Sequence, residues 1–116
     1  MKALRIGMIA GLTALAATAL ALPSMMKDFN TTYKLGKNSA LTKAGCVVCH
    51  VEKNKPKLNP YGEALKKALG EAKTKKLSAE IFKKVETLDS DGDGATNGAE
   101  IKADTLPGDA KSKPAK

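Results

Sequence analysis

Aromatic residues are scarce in this 116-residue chain, which has two Tyr, two Phe and no Trp. Phe29, Tyr33, Tyr61 and Phe82 are too few to fill a large core with side chains alone. Cysteine is equally rare. Cys46 and Cys49 lie three positions apart and cannot close a useful loop, which excludes a disulfide scaffold. His50 is the single histidine, and no methionine follows it. No segment alternates apolar and polar residues with period two, so no sheet is expected. No internal repeat and no nucleic-acid recognition motif is present, so no nucleic-acid partner is expected.

The N-terminus has the pattern of an export signal. Lys2 and Arg5 begin it, Ile6 to Leu20 is apolar or small apart from two threonines, and Ala19-Leu20-Ala21 is an A-x-A cleavage site. The stretch is shorter and richer in small residues than a spanning helix needs, so no membrane span is expected after cleavage. Residues 1–21 are therefore read as a signal peptide and 22–108 as the folded domain, with 109–116 as a flexible tail. Cleavage leaves 95 residues with 18 lysines against 12 acids, a net charge of +6. A domain this small usually needs a metal, a cofactor or a disulfide to complete its core.

The mature chain reads as all-α. Met25, Met26, Phe29 and Tyr33 recur near i, i+4, i+8 and predict a short amphipathic helix within Leu22 to Asn38. Ser39 is placed to cap a helix from Ala40 to about His50, followed by a lysine-rich loop through Leu58. Asn59-Pro60 predicts an N-cap and first-turn proline for a helix ending at Leu69, before Gly70. Ser78 begins a helix to about Leu88, whose expected buried face is Ile81, Phe82, Val85 and Leu88. A last short helix is expected over Ala99 to Ala103, with Pro107-Gly108 beyond it.

Cys46-Val47-Val48-Cys49-His50 is C-x-x-C-H, the attachment signature of c-type haem. Two thiols at this spacing reach the two vinyl groups of one porphyrin, and the next residue offers an imidazole to the iron. A closed zinc site would need four good ligands, and the chain has two Cys and one His. A thioredoxin-like pair would sit in a βαβ context, for which there are no strands.

The chain thus resembles the monohaem c-type cytochromes of class I, in which the motif lies early and helices follow. The resemblance rests on Cys46 to His50 and the helical order around it. It implies an all-α fold around one covalent haem c, electron transfer through an exposed haem edge, and no enzymatic activity. It also implies a methionine as second axial ligand. Class I cytochromes draw that methionine from beyond the motif, which is impossible here. Met25 and Met26 are the candidates in the mature chain, with a lysine, Tyr61 or an open position as alternatives. An open position would instead suit a haem sensor, or a small haem enzyme acting on a gas or peroxide. The resemblance further implies a proline carbonyl beside the second nitrogen of His50, from Pro60 or Pro56. The local sequence there is equally a plain helix start.

Residues 89–100 read DSDGDGATNGAE and resemble the EF-hand calcium loop over all twelve positions. The resemblance assigns side-chain ligands to Asp89, Asp91, Asp93 and Glu100, a backbone carbonyl to Ala95, and to Asn97 a ligand role either directly or through water. Gly94 falls where the chain turns sharply. Thr96 stands where paired EF-hands carry a bulky aliphatic residue, and there is no second loop. A single structural calcium site is expected.

Lysines cluster after the haem motif, at 53, 55 and 57, and again at 66, 67, 73, 75, 76, 83 and 84. Such a surface keeps the protein soluble and would steer acidic redox partners. The sequence reading is therefore a periplasmic or otherwise secreted electron carrier with haem c and calcium.

Overall fold

In the computed structural model, the structure describes residues 23–112. The expected signal peptide and the last four residues of the tail lie outside the described residues. The chain is all-α. It has helices α1 (Pro23–Thr32), α2 (Ala40–Ala44), α3 (Pro60–Glu71), α4 (Ala79–Val85) and α5 (Asn97–Lys102). There are no strands among the described residues; a single antiparallel bridge joins His50 to Leu58. No helix among them is long and apolar enough to cross a membrane.

The amphipathic pattern of α1 directs Phe29 inward, where it is 2 % exposed. Its ring meets those of Tyr33, Phe82 and Tyr61 at centroid distances of 5.1, 5.6 and 6.3 Å. All four aromatics of the chain thus form one cluster. Leu41, Val48, Leu65, Leu77, Ile81, Val85 and Ile101 extend it. Each large apolar side chain removed from water contributes roughly 1.5–3 kcal/mol.

Several boundaries differ from the sequence reading. The helix expected from Ala40 to His50 stops at Ala44. Gly45 adopts φ 57°, and Gly45–Val48 tightens into a 3₁₀ turn. His50 is therefore not helical but extended, in the bridge to Leu58. Gly70 does not end α3, which runs to Glu71 with Ala72 as its C-cap and Lys73 as the left-handed residue beyond. Lys34, Lys73 and Asp104 all take left-handed backbone conformations after α1, α3 and α5. Behind each, the following N–H bonds the carbonyl five residues back: Leu35 to Asn30, Thr74 to Leu69, and Thr105 to Glu100.

Helix α4 ends at Val85, and Leu88 is 47 % exposed rather than buried. The backbone has by then turned into the acidic loop, and the Leu88 carbonyl accepts from Asn97 N–H at 2.7 Å. Ser78 stands at the N-cap of α4 without a capping side-chain bond. Helix α5 starts two residues earlier than expected, because Thr96 caps it by accepting from Ala99 N–H. Residues 109–112 are tied down, Ser112 N–H bonding Asp109 and Leu106 N–H bonding the Ser112 hydroxyl, 2.9 Å each.

Contacts distant in sequence lock the C-terminal segment onto the segment bearing the cysteines. The Asp104 carboxylate accepts from the Ser39 hydroxyl and from Ala40 and Leu41 N–H at 2.6, 2.7 and 3.1 Å. It thereby caps α2. These bonds, that of the Ser39 hydroxyl foremost, hold Asp104 below its ordinary carboxylate range. Gly108 lies so close to the Asn59 side chain that a Cβ there would overlap it.

Candidate functional site

Asn59 organises the cysteine segment. Its Oδ1 accepts from Gly62 N–H at 2.9 Å, capping α3. Its Nδ2 donates to the carbonyls of Val47 and Val48 at 3.1 and 3.0 Å, and its own N–H donates to Cys49 O at 2.9 Å. Gly62 allows α3 to approach; a Cβ at that position would collide with the Cys49 carbonyl oxygen. The bridge to Leu58 and the bond from Val51 N–H to Lys57 O at 3.0 Å close the lysine-rich loop behind His50.

This frame places Cys46, Cys49 and His50 on the wall of a cavity of about 640 Å³. Met25 and Met26, both on α1, line the same cavity. Leu58, Leu65, Leu69, Leu77, Phe29 and Phe82 make most of the remaining wall. Volume and lining suit a flat apolar ligand. Exposed residues, among them Cys46, Lys57, Glu63 and Lys66, form the mouth. Met26 also borders a shallow groove on the outer side of α1 beside Lys27 and Asn30, whereas Met25 borders the apolar cavity and not that groove. Tyr61, fully buried in the aromatic cluster, is not part of the cavity wall.

Both cysteines are free thiols. Burial, with the neighbouring Cys46 second, pushes the Cys49 thiol up to about 12. An activated thiolate nucleophile needs the opposite shift. Among the described residues, Cys46, Cys49 and His50 do not form a converging metal-donor cluster; Asp89, Asp91 and Asp93 do. His50 is 8 % exposed, and its Nδ1 is buried with no hydrogen-bond partner. The proline carbonyl expected there, from Pro60 or Pro56, does not reach it. Pro60 is instead the first residue of α3, directed along the helix, and Pro56 lies on the cavity wall.

The second site is the loop between α4 and α5. Carboxylate oxygens of Asp89, Asp91 and Asp93 lie within 4.8 Å of one another. Asp89 gathers the loop, accepting from Gly92, Asp93 and Gly94 N–H at 3.0, 3.2 and 2.8 Å. Gly92 and Gly94 take φ of 71° and 92°, which L side chains rarely adopt. Ala95 adjoins the cluster, its N–H donating to Asp93 Oδ1 at 2.9 Å. Glu100 is fully buried, and neither carboxylate oxygen has a hydrogen-bond partner. Burial first, then Asp93 and Asp91, pushes Glu100 up to about 9. Burial also raises Asp91. A hard divalent cation is the species that would relieve this arrangement.

Asn97, expected as a ligand, is turned to another task. Its Nδ2 donates to Val85 O and the Ser90 hydroxyl at 2.8 and 2.7 Å, while its Oδ1 accepts from Ser90 N–H at 3.3 Å. It fastens the loop to the end of α4. Three structural residues carried little local signal. Gly62 and Gly108 are required by packing, and Asp104 caps a helix 65 positions away from it in sequence. No protein-family model, no curated protein and no solved structure matches this chain.

Proposed function

We propose that this protein is an exported monohaem c-type cytochrome that carries single electrons between redox partners, with a structural calcium ion in the 89–100 loop. The observation that carries this reading is the apolar cavity of about 640 Å³ whose wall holds Cys46, Cys49, His50, Met25 and Met26 together. Haem c, when bound, supplies a reversible one-electron iron couple. Cys46 and Cys49 would hold it covalently, and His50 would supply the proximal imidazole.

The remaining residues prepare the site. Phe29, Leu65, Leu77 and Phe82 keep water from the cavity wall, and burial of this kind tunes a haem potential. The Asn59 clamp fixes the carbonyls of Val47, Val48 and Cys49, so the segment bearing the ligands is rigid. Met25 and Met26 bring thioethers to the cavity, which favours a filled sixth position and therefore electron transfer over gas or peroxide binding. The lysine-rich mouth suits acidic redox partners. The buried Glu100 and the Asp89, Asp91 and Asp93 cluster support the calcium assignment.

Absorption spectra of the protein matured in a host that assembles c-type haem test the reading. Low-spin six-coordinate spectra in both redox states, unchanged by carbon monoxide, are expected. A haem protein that binds carbon monoxide rapidly would favour the sensor reading and overturn electron carriage.

A further inference from the structure

Glu100 belongs to two structures at once. Its carboxylate is fully buried, has no hydrogen-bond partner and faces Asp93 and Asp91 in the acidic loop. Its backbone carbonyl accepts from both the N–H and the hydroxyl of Thr105, at 2.8 and 3.0 Å. The residue before Thr105 is Asp104, whose carboxylate caps α2 through Ser39, Ala40 and Leu41. Cys46 follows α2 across Gly45 alone.

The same C-terminal segment reaches the other side of Cys46. Pro107 is fully buried, and Gly108 sits against the Asn59 side chain. Asn59 in turn holds the carbonyls of Val47 and Val48. Residues 104–108 therefore grip the chain both before and after Cys46, while Thr105 anchors them on the backbone of the buried acid. Without a cation, a carboxylate in that place is costly to keep out of water. A hard divalent ion makes it a ligand, and so holds α5 and the segment that follows it.

We propose that residues 104–108, with Asp104 as the positioning residue, make the calcium loop and the cysteine segment one cooperative unit, so that calcium in the loop holds Cys46 to His50 in place. This rests on the calcium part of the function proposed above. The competing explanation is that Asp104 is an ordinary helix cap and that calcium orders its own loop alone. The two differ in what opens together. A joint opening of loop and cysteine segment is suppressed by one plus the ratio of calcium concentration to Kd, whereas an opening of the cysteine segment by itself is indifferent to the ion. With about 10 mM calcium and a Kd of about 10⁻⁴ M, the suppression is about a hundredfold.

Amide hydrogen exchange of the matured protein, with calcium and with chelator, is the test. In the parent, calcium should slow the hydrogen-bonded amides of Lys43, Cys49 and His50 about a hundredfold, as it slows those of Gly92 and Gly94 in the loop. Asp104→Gly removes the cap while suiting the left-handed backbone there, where φ is 60°. In that variant the loop amides should keep the full effect, and those of Lys43, Cys49 and His50 should respond by less than about threefold. Asp104→Asn, which retains one acceptor oxygen, should fall between the two and serves if Asp104→Gly does not fold. Slowing confined to the loop in the parent would overturn the coupling, as would an undiminished effect on Lys43, Cys49 and His50 in the variants. No effect of calcium on Gly92 and Gly94 would instead defeat the calcium reading itself.

Discussion

Replacing Glu100 with Gln should stabilise the metal-free protein at neutral pH while abolishing its response to calcium. The reasoning begins with a fully buried carboxylate facing Asp93 and Asp91. Its pKa rises from an ordinary 4.5 to about 9, so the folded state retains a proton that the unfolded chain releases. The associated stability is fully present below about 4.5 and is lost as the pH rises toward 9. At pH 7 the loss is on the order of 3 kcal/mol, from 1.36 kcal/mol per pH unit. Gln is the same shape without the charge, and its amide can donate to the flanking carboxylates. Metal-free Glu100→Gln should therefore show a flatter dependence on pH and exceed the parent at pH 7. Calcium, bound only by the folded state, should stabilise the parent strongly and the variant little. Urea titrations at acidic and neutral pH, with chelator and with calcium, read both effects. A variant that is less stable than the metal-free parent at pH 7, or that keeps the parent's calcium response, would refute the reasoning.

Asn59→Ala removes the α3 cap and both ties to Val47 and Val48, and should cost about 2–4 kcal/mol in urea unfolding, with loss of resolved haem-ligand signals in NMR. Gly62→Ala forces a methyl against the Cys49 carbonyl and should destabilise by about 1–3 kcal/mol; circular dichroism melts check this, and an unchanged melt would show that α3 does not press on the cysteine segment. Exchanging both Met25 and Met26 for Ala should lower the potential and let carbon monoxide bind, because the cavity would then offer no thioether. The spectrum and potential of the parent retained in that double variant would exclude both as ligands.

Much of this arrangement was legible in the sequence because it is governed locally. Asn59 and Ser39 act as caps, Pro60 opens α3, and the apolar spacing of α1 and α4 buries Phe29, Ile81, Phe82 and Val85. The spacing of Asp89, Asp91, Asp93 and Glu100 likewise gathers four carboxylates into one loop. What was not legible depends on distant contacts. Gly45 reads as an ordinary helix interior residue until its left-handed backbone breaks α2 and frees His50 to pair with Leu58. Leu88 fits the helical stripe of α4, but the chain leaves the helix before reaching it. Asn97 matches a ligand position, yet Val85 and Ser90 claim its side chain. The cap that Asp104 provides to α2, and the fit of Gly108 on Asn59, arise only once the C-terminal segment has folded back.

The central claim is covalent haem on Cys46 and Cys49, and the mass of the denatured, exported protein tests it most directly. The account predicts a chain cleaved after Ala21 that carries the mass of one haem through denaturation and acid extraction, with no titratable thiol. A bare polypeptide with two free thiols, produced in a host competent for c-type maturation, would contradict it.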